Sequence, residues 1–571
     1  SGNRGIITGG SNNVVSGYDA FVCGGNYNEA QEDQSAVSGG HYNVASGTNS
    51  IIAAGSGNTV SGASSAILGG SGNNAGGSGA IIAGGYLNTA VGARSGIISG
   101  LENDAGDDEN DSATVILGGG MNITSSKFSA ICGGHSNNVS GEYASIGGGY
   151  SNDAGGDYSG IGGGIDNLAD GNRSFVAGGA DNAAWGEDSF IGGGSGDTVH
   201  AVFGGVAAGI FNRAGYGSDD SAAFVGGGMD NYARFKYSTV CGGKNNYAAW
   251  YWASICGGED NIAEYYATVG GGKGNEARGN YSHVGGGHDN IIVGAGYTAT
   301  IGGGYQNEAS HNSATVAGGW RCIASAEEST VGGGRSNTAS NIKAVVSGGA
   351  SNTASGEGST VPGGTGNTAG GTNAFAAGYN STASGTHAPF ALGYRAKSLH
   401  SGAFVWADYH QFFDFSSEAN NEFAARATGG IRFVTGIDAG DGSVTAGVEV
   451  DPGGGSWSSL SDKDLKENFE PVEPQEILER VASLPINTWN YKAQGASVRH
   501  IGPVAQDFYA AFGVGGDDRH ITTVDADGIM MVAIQALYER TREIEKLKLE
   551  LDQAKNQLAE LKGMIQKLLT E

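Results

Sequence analysis

Residues 65–92 read SAILGGSGNNAGGSGAIIAGGYLNTAVG. One pattern occurs twice in this stretch, 15 residues apart: Ile67 and Ile82 stand six places before Asn73 and Asn88, and Ala75 and Ala90 stand two places after them. Outward from here the register holds over 24 units, with anchors from Asn13 to Asn367 in which only Asp197 and Cys322 depart from Asn. Of the 23 steps between anchors, 19 are 15 residues long. The place six before the anchor is Ile or Val in every unit, from Ile7 to Val361. A fixed period of this size is the mark of a stacked array.

The unit reads x-[Ile/Val]-x-Gly-Gly-x-x-Asn-x-Ala-x-Gly-x-x-Ser/Ala. Its two inward apolar places lie eight residues apart in short alternating stretches, which predicts two short strands per unit. The Gly-Gly pair and the later Gly predict two turns that need positive φ. One unit is therefore one coil of a parallel β-solenoid, and the Asn column predicts a side-chain ladder capping a turn. Pro362 is the only proline in the first 388 residues, as expected when nearly every backbone N–H serves a ladder. The 24 Ile/Val positions are expected to face inward, in a rod roughly 115–125 Å long at about 4.8 Å per coil. Such a coil is thin. At ~25 cal/mol per Å² of buried apolar area a lone thin solenoid is marginal, so the chain is expected to associate and bring further apolar faces together.

The quoted stretch, and FALGYRAKSLHSGAFVWAD at 390–408, resemble the head repeats of trimeric autotransporter adhesins. The resemblance covers roughly residues 1–400. It implies a left-handed parallel β-roll with three chains to a rod, although that family's repeat is typically about 14 residues, so one turn must differ here.

Composition narrows the function. The chain has 107 Gly in 571 residues without a Gly-X-Y period, which excludes collagen. Its net charge is −28, with 17 Lys/Arg against 39 Asp/Glu in residues 1–460. Nucleic acid and anionic lipid are therefore not expected partners. No run of 18 apolar residues exists, so no membrane insertion is expected. The first residue is Ser1, which leaves open whether a leader was removed. Cys23, Cys132, Cys241 and Cys256 precede Gly-Gly pairs in one column, and Cys322 takes an anchor place; they read as small packing residues, with a Cys241–Cys256 bridge open. No Cys/His pair has zinc spacing, and the Gly-x-Gly strings are repeat turns that open no helix. No cofactor is expected.

From Ser461 Gly falls and Leu, Lys and Glu rise. Residues 537–571 carry a heptad with Leu537, Ile544, Leu551, Leu558 and Ile565 at a and Leu547, Ala554, Leu561 and Leu568 at d, which predicts a coiled coil. Before it lie LSDKDLKENFEPV at 460–472, LPINTWNY at 484–491, VRHIGPVAQDFYAAFG at 498–513 and DDRHITTVDADGIMMVAIQALYE at 517–539. These closely resemble the endosialidase-type intramolecular chaperone of phage tailspikes, a self-cleaving peptidase. The resemblance covers 461–571. It implies a domain that trimerises, templates the fibre before it and cuts itself off before the Ser of a Ser-Asp pair, using a Ser–Lys dyad. Here that implies the bond Leu460–Ser461 with Ser461 and Lys466 as the dyad. Where many members carry Arg three after the Ser, this chain has Asp464. Ser needs a base to act as nucleophile, and Lys serves as one when burial favours its neutral form. The simpler alternative is that Ser461-Asp462 caps a helix and Lys466 is solvated. His500 is a weaker candidate, either a helper of the dyad or structural, and Asp507 reads as structural.

The expected architecture is all-β with a small α/β end: a trimeric left-handed parallel β-roll over 1–396, a β-rich neck over 397–460 whose Phe404, Trp406, Phe412 and Phe413 form trimer core, and a chaperone domain over 461–571 ending in a trimeric coiled coil. Two irregularities stand out in the rod. The steps from Asn103 to Asn122 and from Asn212 to Asn231 each insert four residues in the same turn. Asp107, Asp108, Glu109 and Asp111 offer the hard oxygen ligands calcium takes, against the simpler reading of a solvated acidic loop. Four residues after the anchor, where many coils have Gly, three successive coils place Phe235, Trp250 and Tyr265, crowded by Tyr237, Tyr251, Trp252 and Tyr266. Either this strip is a contact between chains or it binds a surface glycan or protein receptor. The expected function is a homotrimeric extracellular fibre, of a virion or cell surface, that attaches to a target. The alternatives are a purely structural filament and a glycan-cleaving tailspike, for which the coils supply no inward carboxylate pair. An ice-binding solenoid needs flat Thr columns, which the repeat is read as lacking.

Overall fold

The computed structural model describes residues 4–410 and 412–570. It divides into two compact units, Ser1–Arg426 and Ala427–Glu571.

The first unit is a parallel β-solenoid. Each coil gives one short strand to each of two ladders. Ladder A runs from Ile6–Ile7 to Phe423–Arg426 and ladder B from Val14–Val15 to Phe415–Ser416. The register follows the repeat: Ile67 pairs with Ile82, and Ala75 with Ala90. Within each ladder alternate N–H groups reach to the next coil, as in Leu68 N–H to Ile82 O at 2.9 Å and Asn74 N–H to Asn88 O at 2.8 Å. The parallel pairing continues past residue 396, through Phe404–Ala407 onto Phe423–Arg426.

Of the 24 Ile/Val positions, Val22 to Val361 are buried and only Ile7, in the first coil, is exposed. The Ala two after the anchor and the Ser or Ala two before the Ile/Val are buried beside them. The anchor ladder is a true hydrogen-bonded stack. Asn88 N–H donates to Asn73 Oδ1 at 3.0 Å, and Asn88 Nδ2 donates to Gly84 O at 3.1 Å and Gly100 O at 3.0 Å. Each such bond is worth about 1 kcal/mol net, and among the anchors only Asp197 keeps a buried side-chain oxygen without a partner.

The turn chemistry differs from expectation in two ways. The second Gly of each pair takes positive φ, as Gly70 does at 90°, but the first does so in only nine coils, as Gly148 does at 155°. The later Gly serves close approach instead: a Cβ on Gly62 would lie 2.0 Å from Gly77 O. The left-handed places are otherwise filled by ordinary residues, one before the anchor and six after it, such as Leu87 and Arg94. The expectation that Thr columns are absent is also corrected. Thr300, Thr315 and Thr330 stack in ladder A, and Thr338, Thr353, Thr368 and Thr382 stack in ladder B. They begin only late in the repeat, which hides them from a consensus.

The two outer faces differ in character. The outward columns of ladder A flank the Ile/Val on either side. In none of the 24 units does either hold Asp, Glu, Lys or Arg, and Ile51, Leu68, Ile81, Ile98, Phe175 and Phe190 stand exposed there. Ladder B's outer column, by contrast, carries Glu29, Asp104, Asp153, Arg213, Glu276 and Glu308. All five cysteines are free, and only Cys322 is buried. The other four lie exposed on the outer face of ladder A, so their reading as packing residues fails within one chain.

The second unit begins with the antiparallel strands Ile431–Ile437 and Val444–Val450, joined by Ser458–Ser459. A single 3₁₀ turn follows at Lys463–Leu465, then helix α1 (Pro474–Ser483), a hairpin of Asn487–Trp489 with His500–Gly502, helix α2 (Ala505–Phe512) and helix α3 (Thr523–Leu568). Thr522 caps α3 by accepting from Asp525 N–H at 3.1 Å. α3 has 46 residues, about 69 Å at 1.5 Å per residue. Its buried residues are Ala533 and Ala536 alone. Leu537, Ile544, Leu547, Leu551, Leu558, Leu561, Ile565 and Leu568 all stand exposed. No helix among the described residues is long and apolar enough to cross a membrane.

Candidate functional site

The bond between Leu460 and Ser461 follows directly on the edge strand Ser458–Ser459. Leu460 N–H donates to Gly447 O at 3.2 Å, extending the strand pairing by one residue. A groove of about 210 Å³ lined by Phe433, Val448, Glu449, Ser459 and Leu460 borders that bond. Beyond it the chain turns sharply, because Asp462 caps the 3₁₀ turn by accepting from Asp464 N–H at 3.0 Å. The turn brings Lys466 back to Ser461, and the Lys466 ammonium donates to Ser461 Oγ. Both side chains are exposed in the single chain. The capping reading and the pairing reading of this stretch are thus not rivals: the cap at Asp462 makes the pairing.

His500 lies elsewhere. It pairs across the hairpin with Trp489, whose ring centroid is 4.9 Å away, and its Nε2 shares a hydrogen bond of 2.8 Å with Gln494 Oε1. Among the described residues no hydrogen bond joins His500 to Ser461 or Lys466. Asp507 sits half-buried in the first turn of α2, where a carboxylate favours the helix N-terminus.

In the rod the aromatic residues form two parallel columns. Phe235, Trp250 and Tyr265 stack with ring centroids 4.8 and 4.6 Å apart. Tyr237, Trp252 and Tyr266 stack at 5.0 and 4.9 Å, and Tyr281 continues the column at 4.6 Å. Tyr251 fills the gap between the columns, tilted 45° against Phe235. The first column is half-buried and the second exposed. The step from Asn261 to Asn275 is one residue short, which sets Tyr266 level with Trp252. Sequence reasoning missed Tyr281, and with it a similar stack of Phe128, Tyr143 and Tyr158. Both lie in the left-handed column six after the anchor, which the glycine-based reading of turns did not mark.

The acidic insert is organised by its own backbone. Asp111 accepts from Asp107 N–H at 3.0 Å and Asp108 N–H at 3.3 Å, and Asp108 accepts from Asn110 N–H at 2.7 Å. Glu109 is exposed at the loop tip. The second insert repeats the device, with Asp220 accepting from Tyr216 and Gly217 N–H at 2.9 and 3.1 Å. Burial first, and then Asp107, push the neighbouring Asp104 carboxyl up to about 6. Among the described residues no three His, Cys, Asp or Glu are grouped to hold a metal ion.

Residues 461–516 match the family model Peptidase_S74, chaperone of endosialidase. The match begins at Ser461. No curated protein matches the chain. A β-solenoid followed by an endosialidase-type chaperone segment is an arrangement that suggests a phage tail-fibre or tailspike-like protein.

Proposed function

We propose that the chain is a homotrimeric extracellular attachment fibre whose C-terminal domain drives trimer folding and then cuts itself free between Leu460 and Ser461. The observation that carries this reading is the Lys466–Ser461 contact at the first residue of the chaperone match, at the junction with a β-rich rod. The chemistry follows. Lys466, in its neutral form, takes the Ser461 hydroxyl proton, and Oγ attacks the Leu460 carbonyl carbon. The C–N bond breaks as the nitrogen gains a proton, which leaves an ester that water hydrolyses. Burial favours the neutral lysine, and in the single chain Lys466 is exposed, so the burial must come from neighbouring chains. Cleavage then waits for assembly.

Two faces support the assembly. The exposed heptad seam of α3 suits a coiled coil. The uncharged outer face of ladder A suits chain-to-chain packing along the rod, because an apolar face this long is otherwise an aggregation site. That leaves the strip of Phe235, Trp250, Trp252 and Tyr265 off the contact face and free to hold a target, by our reading a surface glycan. Freshly expressed full-length protein, run on a denaturing gel beside Ser461→Ala, tests the processing. Wild type is expected to give fragments of 460 and 111 residues, as the cut after Leu460 dictates, and the variant an intact chain that still trimerises. Cleavage of the variant at the same bond would overturn the assignment.

A further inference from the structure

We propose that the ladder B face of residues 211–262 is a saccharide subsite that takes a neutral sugar chain lying along the rod. This rests on the reading of the rod as a glycan-attachment fibre and adds a polar site to it. Two columns border the buried Asn ladder here. The outer one presents Arg213, Tyr232 and Tyr247 in register. The one before the anchor presents Asp230, Asn245 and Asp260, all with left-handed backbone. Between them runs an open cleft of about 720 Å³, within the size of known ligand sites.

The floor is aromatic. Tyr232 and Tyr247 stack with centroids 5.4 Å apart and planes 24° from parallel. Arg234 holds this floor in place from the side. Its Nη1 donates to Tyr247 OH at 2.8 Å, and its guanidinium lies 4.8 Å over Phe235 in the strip. The cleft and the strip are therefore adjoining parts of one surface. The edge is polar. Asn245 Nδ2 donates to Asp260 Oδ1 at 2.6 Å, which orients that exposed carboxylate. Among the described residues no side-chain hydrogen bond occupies the Asp230 carboxylate.

A sugar ring matches this arrangement. Its C–H groups pack along the outward rims of the stacked tyrosines, and its hydroxyls donate to carboxylates in short charge-assisted bonds. Coil spacing repeats the carboxylate and amide groups every ~4.8 Å along the rod, so successive rings meet successive acceptors. Asp230 and Asp260 line the cleft, whereas of the two guanidiniums here that of Arg234 is taken up by Tyr247 OH and the Phe235 ring, which leaves Arg213 alone and disfavours an acidic sugar. The face is also free in the proposed trimer, because the uncharged contact surface belongs to ladder A.

The test uses the full-length protein on an array of neutral, sialylated and uronic-acid glycans, followed by calorimetric titration of the best neutral glycan. Asp230→Asn keeps a residue that tolerates left-handed backbone, so the rod stays folded; circular dichroism checks this for it and for Tyr232→Ala. Neutral glycans are expected to bind, with affinity about tenfold or more weaker in both variants. Unchanged affinity in both, with binding lost in Trp250→Ala, would overturn the subsite and leave the attachment reading standing. Binding of acidic glycans alone would do the same. A protein that binds no glycan of any class would overturn both.

Discussion

Asp197 is the one carboxylate in the anchor ladder, and replacing it with Asn should stabilise the rod. Its neighbours show what it lacks. Asn182 donates from Nδ2 to Gly178 O at 3.0 Å and Gly194 O at 3.1 Å. Asp197 keeps the accepting half of the pattern, taking Asn212 N–H on Oδ1 at 2.8 Å. Its Oδ2, however, is fully buried without a partner, in the place where the amide would meet the carbonyls of Gly193 and Gly209. Burial accordingly raises its carboxyl above the usual range, against the hydrogen bonds from Asn212. Two recovered bonds at about 1 kcal/mol each give about 2 kcal/mol for Asp197→Asn.

The pH dependence has a definite sign. A carboxyl whose folded pKa is raised is protonated in both states below the unfolded value of 3.8, where no linkage cost exists. As pH rises from there through the raised folded value the cost accumulates, and it is then constant. The gain from Asn should therefore be largest near pH 7 and fall below pH 4, where the protonated acid itself donates one bond. Local amide exchange is the suitable assay, since a long coil array does not unfold as one unit. Amides of residues 182–212 should exchange about 30-fold more slowly in the variant at pH 7. Asn167→Asp, with the two Gly contacts of Asn167 at 3.2 and 3.0 Å, should show the reverse. Equal exchange in wild type and Asp197→Asn at all pH values would refute the reasoning.

Further predictions concern assembly and attachment. Val240→Asp places an unpaired charge in a fully buried column, at a cost of several kcal/mol, and should abolish the folded rod as judged by circular dichroism. Leu551→Asp in the exposed heptad seam should prevent trimer formation in ultracentrifugation and, with it, cleavage at Leu460–Ser461; monomers that still cleave would separate the dyad from assembly. Lys466→Ala should leave the chain uncut on a gel at any pH, whereas a cut chain would remove Lys466 from the chemistry. Trp250→Ala should leave trimers and fragments intact while weakening binding to immobilised glycan about tenfold. Loss of the rod instead would make the strip a contact between chains.

The coil was legible because its period is enforced at every level. Burial puts Ile or Val at one place in all 24 units, the ladder puts Asn at another in 22, and close approach puts Gly at a third in 13, so the copies of each constraint accumulate. What escaped was whatever occupies the tolerant places. Tyr232 and Tyr247 stand where other coils have Thr, Val or Glu, and a consensus averages them away. Tyr281 sits in a left-handed place that holds Asp19, Gln34 and Arg94 elsewhere, so its residue type carried no signal until stacking put it beside Tyr266. Lys466 was legible only through the resemblance of its surroundings. Five residues apart on an open chain, Ser and Lys have no fixed distance, and the Asp462 cap supplies it.

The regularity that makes the rod readable also creates its folding problem. Each coil pairs equally well with almost any other coil, since two-residue strands with Ile or Val inward recur along the whole array. In the proposed trimer the same holds between chains on the uncharged face of ladder A, where a slip of one coil, ~4.8 Å, exchanges one uncharged residue for another, as Phe175 for Phe190 or Thr315 for Thr330. Register is weakly specified in flat repeats of this kind. Only the irregular steps, of 19, 14 and 17 residues, break the degeneracy within the rod. A heptad seam does so at once, because its a and d residues fit one alignment of three helices. On this account the chaperone sets the register of three chains at one end, and the coils add from there. Its removal afterwards leaves a fibre that has no route back to the same register. The account predicts that chains truncated after Leu460 fold into solenoids of mixed chain register, visible as rods with uneven ends in electron micrographs, while chains made full-length and then cut give even ones.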